Sequence, residues 1–455
     1  MDRRQLLASA ASLLAGSAVA TAVRARPPRR PTNFIIILCD DLGYGDVEPT
    51  GGRQISTPNL NRLAAEGTTF TDYYAPANVC TPSRAGMLTG RYPVRTGLGY
   101  QVIMQKDTRA LPHSEVTIAQ ALKPAGYASG LFGKWHLGHL GPNWYPTAYG
   151  FDRFVGIPYS HDMAPLSLFT IDGAGPAKEE APDLPQLQER FYAEAERFIE
   201  ANVARPFFVE LALSAPHLPE NPAAGFKGRA RVGAYGDVVG EIDDIVGRLL
   251  AKLKALKLDQ DTLILFTSDN GPWFEGSTGG LRQRKAGGGY DGGYRVPLIA
   301  WAPGLVPAGR RSDAIAMGID FLPTLCTLAG VPQPPVELDG RDIAPLLTGR
   351  TSQSPHDQLV LFDNEDVIGI RTQRWKYIPA DYYRTHLIAT DPKYPQLYDI
   401  AADPSESYSL ADRHPDVLED MRARFAAAKK RFAPFKKGVP EVFRNFDAPG
   451  QVRQD

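Results

Sequence analysis

Apolar and polar positions fall into long alternating blocks along this chain. Phe34 to Leu38 is a continuous apolar run rich in β-branched residues, the pattern of a strand buried on both faces. Phe207 to Leu213, Thr262 to Thr267 and Leu298 to Trp301 are further strand candidates, and Tyr127 to Phe132 adds another strand-like segment. Between these runs the spacing becomes helical. Thr57-Pro58 starts a helix through Leu60, Leu63 and Ala64 that Gly67 stops, and long amphipathic helices are predicted over Leu187 to Ala204 and Asp237 to Leu256. Strands alternating with helices predict an α/β fold. After Thr348-Gly349-Arg350 the pattern changes. Gln358 to Phe362, Val367 to Arg371 and Arg374 to Ile378 read as short strands, followed by a helix from Pro415 to Phe432. We therefore expect a large unit over residues 31–350. A smaller α+β unit over 351–455 should carry an antiparallel sheet and a helix, with the stretch after Lys436 extended and irregular.

The N-terminus is set apart from both units. Arg3-Arg4 precede Gln5-Leu6-Leu7, and an Ala/Leu/Ser-rich stretch runs to about Ala20. This reads as a signal peptide, too short to span a membrane. The paired arginines followed by leucines resemble a twin-arginine export signal, with an ordinary secretory signal as the alternative. The Arg- and Pro-rich stretch from Arg24 to Pro31 reads as a linker, so residues 1–30 are assigned to signal and linker. A periplasmic or secreted protein is expected. No cysteine lies near the cleavage region, so no lipoprotein anchor and no stable membrane association are expected.

Composition narrows the function classes. The 455 residues suffice for a large core, and the net charge of −1 gives no electrostatic footprint for nucleic acid. Cys39, Cys80 and Cys326 are too few and too widely spaced for a disulfide framework. Cys39 and Cys326 read as small core residues.

The unusual polar residues fall where predicted strands end. Asp40-Asp41 follow the first strand, Asp269-Asn270 follow the strand before Ser268, Ser214-Ala215-Pro216-His217 follow Leu213, and Gly133-Lys134-Trp135-His136 follow Phe132. Open α/β sheets bind ligands beyond the carboxyl ends of their strands. Four strands would thus deliver these groups to one edge. Buried adjacent carboxylates are costly unless neutralised, and an oxygen-only donor set suits calcium or magnesium rather than zinc.

Cys80-Thr81-Pro82-Ser83-Arg84 carries the most specific chemistry. Thr81 can cap a helix whose first position suits Pro82, placing Cys80 beside free N–H groups and the positive end of the helix dipole. Arg84 adds a planar cation matched to sulfate or phosphate oxygens. With Ala85-Gly86-Met87-Leu88-Thr89-Gly90-Arg91 following, the stretch resembles the signature C-x-P-S-R of the formylglycine-dependent sulfatase family. Thr57-Pro58-Asn59-Leu60, Gly150-Phe151-Asp152, Leu338-Asp339-Gly340 and Leu397-Tyr398-Asp399-Ile400 extend the resemblance over nearly all of the mature chain. Gly156-Ile157-Pro158-Tyr159-Ser160-His161-Asp162 resembles the arylsulfatase A-like branch and would put Ser160 at the active site.

The resemblance implies an alkaline-phosphatase-like α/β sandwich, with a large mixed, mostly parallel sheet, a catalytic domain over 31–350 and a smaller C-terminal domain. It implies that Cys80 is oxidised to formylglycine by a formylglycine-generating enzyme. One hydroxyl of the hydrated aldehyde then attacks the sulfur of a sulfated small molecule or saccharide. Asp40, Asp41, Asp269 and Asn270, with the modified Cys80, would hold one divalent cation, usually calcium. Arg84, Lys134 and Lys285 would stabilise charge, His217 would protonate the leaving oxygen, and His136 would deprotonate the second hydroxyl to expel sulfate. Around Lys285 the chain departs from the family pattern K-x-x-x-x-E-G-G. It has one extra residue, three consecutive glycines at 287–289, and Asp291-Gly292-Gly293 in place of Glu-Gly-Gly. Arg284 competes with Lys285 for the lysine's place. The alternatives are a phosphodiesterase or phosphonate monoester hydrolase of the same superfamily, or a non-catalytic binding protein with unmodified Cys80. Trp273-Phe274, after the Asp269-Asn270 pair, either stack on a substrate ring or belong to the core.

Overall fold

The computed structural model describes residues 33–140, 143–379, 381–382, 389–390 and 395–444, so the expectations for residues 1–30 lie outside the described residues. The hydrophobic runs form the centre of a ten-stranded sheet. Four strands position the site: β1 (Asn33–Asp40), β2 (Ala128–Lys134), β3 (Phe207–Pro216) and β4 (Thr262–Ser268). They lie side by side in the order β4-β1-β3-β2, all parallel. Arg153–Ile157 extends the sheet in parallel beyond β2, followed by antiparallel Leu168–Asp172 and Lys178–Glu180. On the other side, Leu298–Trp301 pairs antiparallel with β4, and Thr68–Phe70 and Arg310–Ser312 complete the sheet. The sheet is mixed and mostly parallel, as the resemblance implied.

Strand periodicity feeds two cores. Phe34, Ile36 and Leu38 of β1 pack on one face, with helix α1 (Cys80–Thr89) and the helices at 118–122 and 321–329. Ile35, Ile37 and Cys39 pack on the other, beneath the helices Leu187–Ala201 and Ala234–Ala255. Burial on both faces explains the uninterrupted apolar runs. The chain then builds a four-stranded antiparallel sheet from Leu359–Asp363, Asp366–Arg371, Trp375–Ile378 and Gln396–Asp399. The helix Pro415–Phe432 shares a separate core with that sheet through Leu418, Met421 and Phe432. The stretch after Lys436 is not wholly irregular, since Glu441–Arg444 forms a helical turn. Among the described residues, no helix is long and apolar enough to cross a membrane.

Candidate active site

Parallel register brings the four strand ends together. Asp40 of β1 sits opposite Pro216 of β3, directly before His217, and Cys39 sits opposite Ser268 of β4, directly before Asp269. Gly133 precedes Lys134 at φ +130°, and a Cβ there would lie 1.8 Å from the Ala212 carbonyl oxygen. Only glycine lets β2 approach β3 closely enough to deliver Lys134. Asp41 and His136 adopt positive φ, 66° and 59°, a costly conformation for residues with a Cβ and one concentrated at functional sites.

Cys80 enters this edge from α1, but not as the sequence reading expected. It is the first residue of the helix, with Val79 as the capping position, and Pro82 is the third. Thr81 does not cap. Its hydroxyl donates to the His136 carbonyl oxygen at 2.9 Å and accepts the Ile103 N–H at 3.1 Å. The tertiary partners outbid the local cap and tie α1 to the Lys134–His136 loop.

The Cys80 Sγ lies 3.5 Å from Asp40 Oδ1, 4.0 Å from Asp41 Oδ1 and 3.4 Å from Lys285 Nζ. Lys134 Nζ meets Asp40 Oδ2 at 2.6 Å, and Lys285 Nζ is 2.8 Å from each Asp41 carboxylate oxygen. Arg84 donates from Nε to Asp269 Oδ2 at 2.9 Å and from NH1 to the Lys134 carbonyl oxygen at 3.0 Å. Its NH2 lies 2.8 Å from the same Asp269 oxygen and 3.5 Å from Asp40 Oδ1. Burial works against the charge on Asp40, but Lys134, with His217 and Arg84, outweighs it and holds the carboxyl well below its usual range. Burial pushes Asp269 up to about 6 against the pull of Arg84. Burial likewise pushes the Cys80 thiol far above its ordinary value, despite Lys134 and Lys285 nearby. A thiol held in its protonated form is a poor nucleophile.

Arg284 does not take the lysine's place. Its NH1 donates to the Trp273 carbonyl oxygen at 2.9 Å and its guanidinium lies over the Phe274 ring. Lys285 reaches the cluster because its own N–H donates to Pro272 O and the next residue's N–H to Asn78 O, both at 3.0 Å.

The two histidines have defined tautomers if neutral. His136 Nε2 faces the Ile103 carbonyl oxygen at 3.0 Å and must donate, which leaves the lone pair on Nδ1, a buried atom without a partner. Burial, with Lys134 adding to it, lowers this ring well below its usual range and keeps it neutral. His217 Nδ1 faces Leu218 O at 2.6 Å, so its Nε2 points into the cluster, 3.5 Å from Ser160 Oγ and 3.7 Å from Asp41 Oδ2. Ser160 is buried beside it, at the outer limit of a hydrogen bond.

The donor set fits a hard divalent cation. Among the described residues, ligand atoms of Asp40, Asp41, Cys80 and Asp269 lie within 4.8 Å of one another. Asn270 donates from Nδ2 to Asp41 Oδ1 at 2.7 Å, while its buried Oδ1 has no partner, an unsatisfied acceptor that a cation would relieve.

Sequence reasoning missed the scaffold behind the Lys285 loop. Asp291 Oδ1 takes a 2.6 Å bond from Lys376 Nζ, and the same ammonium lies 2.7 Å from Glu406 Oε1. All three are fully buried. The Asp291 N–H also donates to Glu406 Oε2 at 2.7 Å. The Asp at this departure from the family pattern is thus anchored to the C-terminal sheet. No local spacing signals a contact between residues so far apart.

Comparison with known proteins gives one answer. The family described as Sulfatase matches residues 32–331, and the family described as N-sulphoglucosamine sulphohydrolase, C-terminal, matches residues 289–431. Human arylsulfatase A is 36% identical over 97% of this chain and 94% of its own length. The N-acetylgalactosamine-6-sulfatase of Sus scrofa is 32% identical over 94% of this chain and 91% of its own. The crystal structure of the PsFucS1 sulfatase from Pseudoalteromonas sp. superposes with a TM-score of 0.83 at 27% identity, covering 90% of this chain and 92% of that one.

Proposed function

This chain belongs to the sulfatase family and hydrolyses sulfate esters, and from that premise we propose that Cys80, oxidised to formylglycine, is the centre of the reaction. The observation that carries the proposal is the setting of the Cys80 thiol. It is buried and protonated, hence inert as it stands, yet it lies among carboxylates, Lys285 and the positive end of α1, where a nucleophile is wanted. In the modified form, the side chain at position 80 supplies the attacking oxygen. A divalent cation, calcium in our reading, supplies fixed positive charge when bound, and Asp40, Asp41, Asp269 and Asn270 would hold it together with residue 80.

The chain's own residues divide the remaining work. Asp40, Asp41 and Asp269 are balanced by Arg84, Lys134 and Lys285. A divalent cation added to this set leaves an excess of positive charge, which an anionic sulfate ester satisfies. Arg84 is clamped by Asp269 and keeps the cluster in register. Lys134 and Lys285 carry ammonium groups with three donors each, enough to serve sulfate oxygens as well as the carboxylates. His217 presents Nε2 to the cluster and, as the imidazolium with Nδ1–H still on the Leu218 carbonyl oxygen, donates a proton there to the departing oxygen, with Ser160 beside it. His136 holds the Nδ1 lone pair and accepts a proton in the step that frees sulfate. Both roles need a positioned group of the right protonation state.

Maturation by a formylglycine-generating enzyme and export to the periplasm or beyond, by the twin-arginine route, complete the proposal. The test is direct. Peptide mass spectrometry of active protein should find an aldehyde at position 80, trapped by hydrazine. The modified enzyme should also prefer an aryl sulfate to the matching aryl phosphate mono- or diester by kcat/KM. Full activity with an intact Cys80 thiol, or a higher kcat/KM for the phosphodiester, overturns it.

A further inference from the structure

Two large aromatic side chains stand in solvent beside this site. Trp273 is 37% exposed and Phe274 59% exposed, although a globular chain normally turns such surface inward. They pack on each other edge to face, with ring centroids 4.9 Å apart. The Arg284 guanidinium lies 4.8 Å from the Phe274 ring centre and is held by a 2.9 Å bond to the Trp273 carbonyl oxygen. The pair is therefore a fixed platform.

Its place in the chain ties it to the chemistry from both sides. Trp273 follows Asn270 by three residues, across Gly271, which is pinned by a 2.9 Å bond to the Gly293 carbonyl oxygen, and Pro272, whose carbonyl accepts the Lys285 N–H at 3.0 Å. Arg284, which grips the platform, precedes Lys285, whose ammonium lies 3.4 Å from Cys80 Sγ. The site is least buried at Lys285, next in the chain to Arg284, and at His217. Lys285 and His217 are 12% and 13% exposed at their side chains, against 3% or less for Asp40, Asp41, Arg84, Lys134 and Asp269.

We infer that Trp273 and Phe274 form a stacking surface at the rim of the active site that binds a ring of the sulfate ester's leaving group, so that the enzyme selects cyclic over open-chain sulfates. The inference rests on the reading under Proposed function and adds the shape of the substrate to it. A planar aromatic ring, or the flat apolar face of a sugar, gains contact with such a platform, while a short alkyl chain has little surface to offer. Arg284 sets the ring plane of Phe274 and adds a cation for an electron-rich or anionic ring substituent.

The experiment compares phenyl sulfate with n-propyl sulfate on wild type, Trp273→Ala, Trp273→Phe and Phe274→Ala. The ratio of kcat/KM for the ring over the chain ester should fall about three- to tenfold in the two alanine variants, the span of an aromatic contact. Trp273→Phe should restore most of it. An unchanged ratio, or a ratio that Trp273→Phe lowers as far as Trp273→Ala does, overturns the platform. Both positions are exposed, so folding is not at stake. Calorimetric binding of phenyl sulfate to the unmodified Cys80 protein gives a second readout that needs no turnover, and Trp273→Ala should weaken it by the same factor. If no sulfate ester is hydrolysed, the proposed function falls. The calorimetric comparison still decides the platform, and equal affinities overturn it.

Discussion

Replacing Glu210 by Gln should change how the stability of this protein depends on pH. Glu210 sits in the middle of β3, in register with Ile36 of β1 and Leu131 of β2, on the face that those residues share with Phe34, Leu38 and Phe208. It is 2% exposed, and its Oε2 has no hydrogen-bond partner. A carboxylate there would be an isolated charge within a sheet core, so the group keeps its proton. Burial pushes it up to about 7, against a weaker pull from Arg84. In the unfolded chain it titrates near 4.5. Below that pH both states hold the proton and nothing is lost. As the pH rises from about 4.5 to about 7 the unfolded state releases its proton first, so the unfolded state gains and stability falls. Above about 7 the loss is constant. The gap between about 4.5 and about 7 corresponds to roughly 3 kcal/mol at most. Glutamine has the same shape and does not titrate. It leaves an amide with an unmet donor, a cost of about 1–3 kcal/mol that is the same at every pH. The decisive quantity is the change in the gap between variant and wild type. Urea unfolding at pH 4.5, 6 and 8 should show that gap shifting toward the variant by up to roughly 3 kcal/mol, because all other titrating groups are common to both. Parallel profiles would refute the reasoning and place an ionised, compensated Glu210 in the core.

Removing the Lys376 ammonium by Lys376→Met takes away Glu406's counter-charge and leaves Asp291 only the longer 3.5 Å contact with Arg295, and should cost about 3–5 kcal/mol in urea unfolding. It should also lower kcat/KM by loosening the Lys285 loop, so a silent variant would show that the loop needs no such anchor. Asp40→Asn should reduce bound divalent cation and sulfatase activity together, measured by elemental analysis of purified protein. Active enzyme without metal, or a silent substitution, would show the carboxylate cluster misread. Arg3→Lys with Arg4→Lys should leave precursor in the cytoplasm by fractionation, and unchanged export would point to the general secretory route.

The central architecture was legible because its physics is local. A strand buried on both faces must be mostly apolar, so β1, β3 and β4 announced themselves despite Glu210 in β3, and the polar residues at their ends stood out. The edge strands Leu168–Asp172 and Lys178–Glu180 were not legible. The first buries only Leu168 and Ile171, the second is exposed, and neither has an unbroken apolar run to mark it. Thr81 was misassigned because a cap is a local choice, while its hydroxyl found His136 and Ile103 from elsewhere in the fold. Arg284 and Lys285 are adjacent cations that sequence alone leaves equivalent. Backbone bonds to Pro272 and Asn78 turn one inward, and a carbonyl and an aromatic ring hold the other outside. Glu210 lies within an apolar strand without a neighbour of like chemistry, and nothing local tells whether it is paired.

The clamp on the Lys285 loop imposes an order in time. Cys80 leaves the ribosome some two hundred residues ahead of Lys285, and Lys376 and Glu406 follow about a hundred later. Until those last residues arrive, Asp291 has Tyr74 and Arg295 but not its Lys376 counter-charge, and the loop lacks its tie to the C-terminal sheet. In the folded chain the thiol is 2% exposed, with Lys285 against it. Under the proposed maturation, an enzyme that must grip Cys80 would act on the growing or newly released chain, before the C-terminal sheet seats. On that proposal, the last fifth of the sequence would close the interval in which Cys80 can be modified.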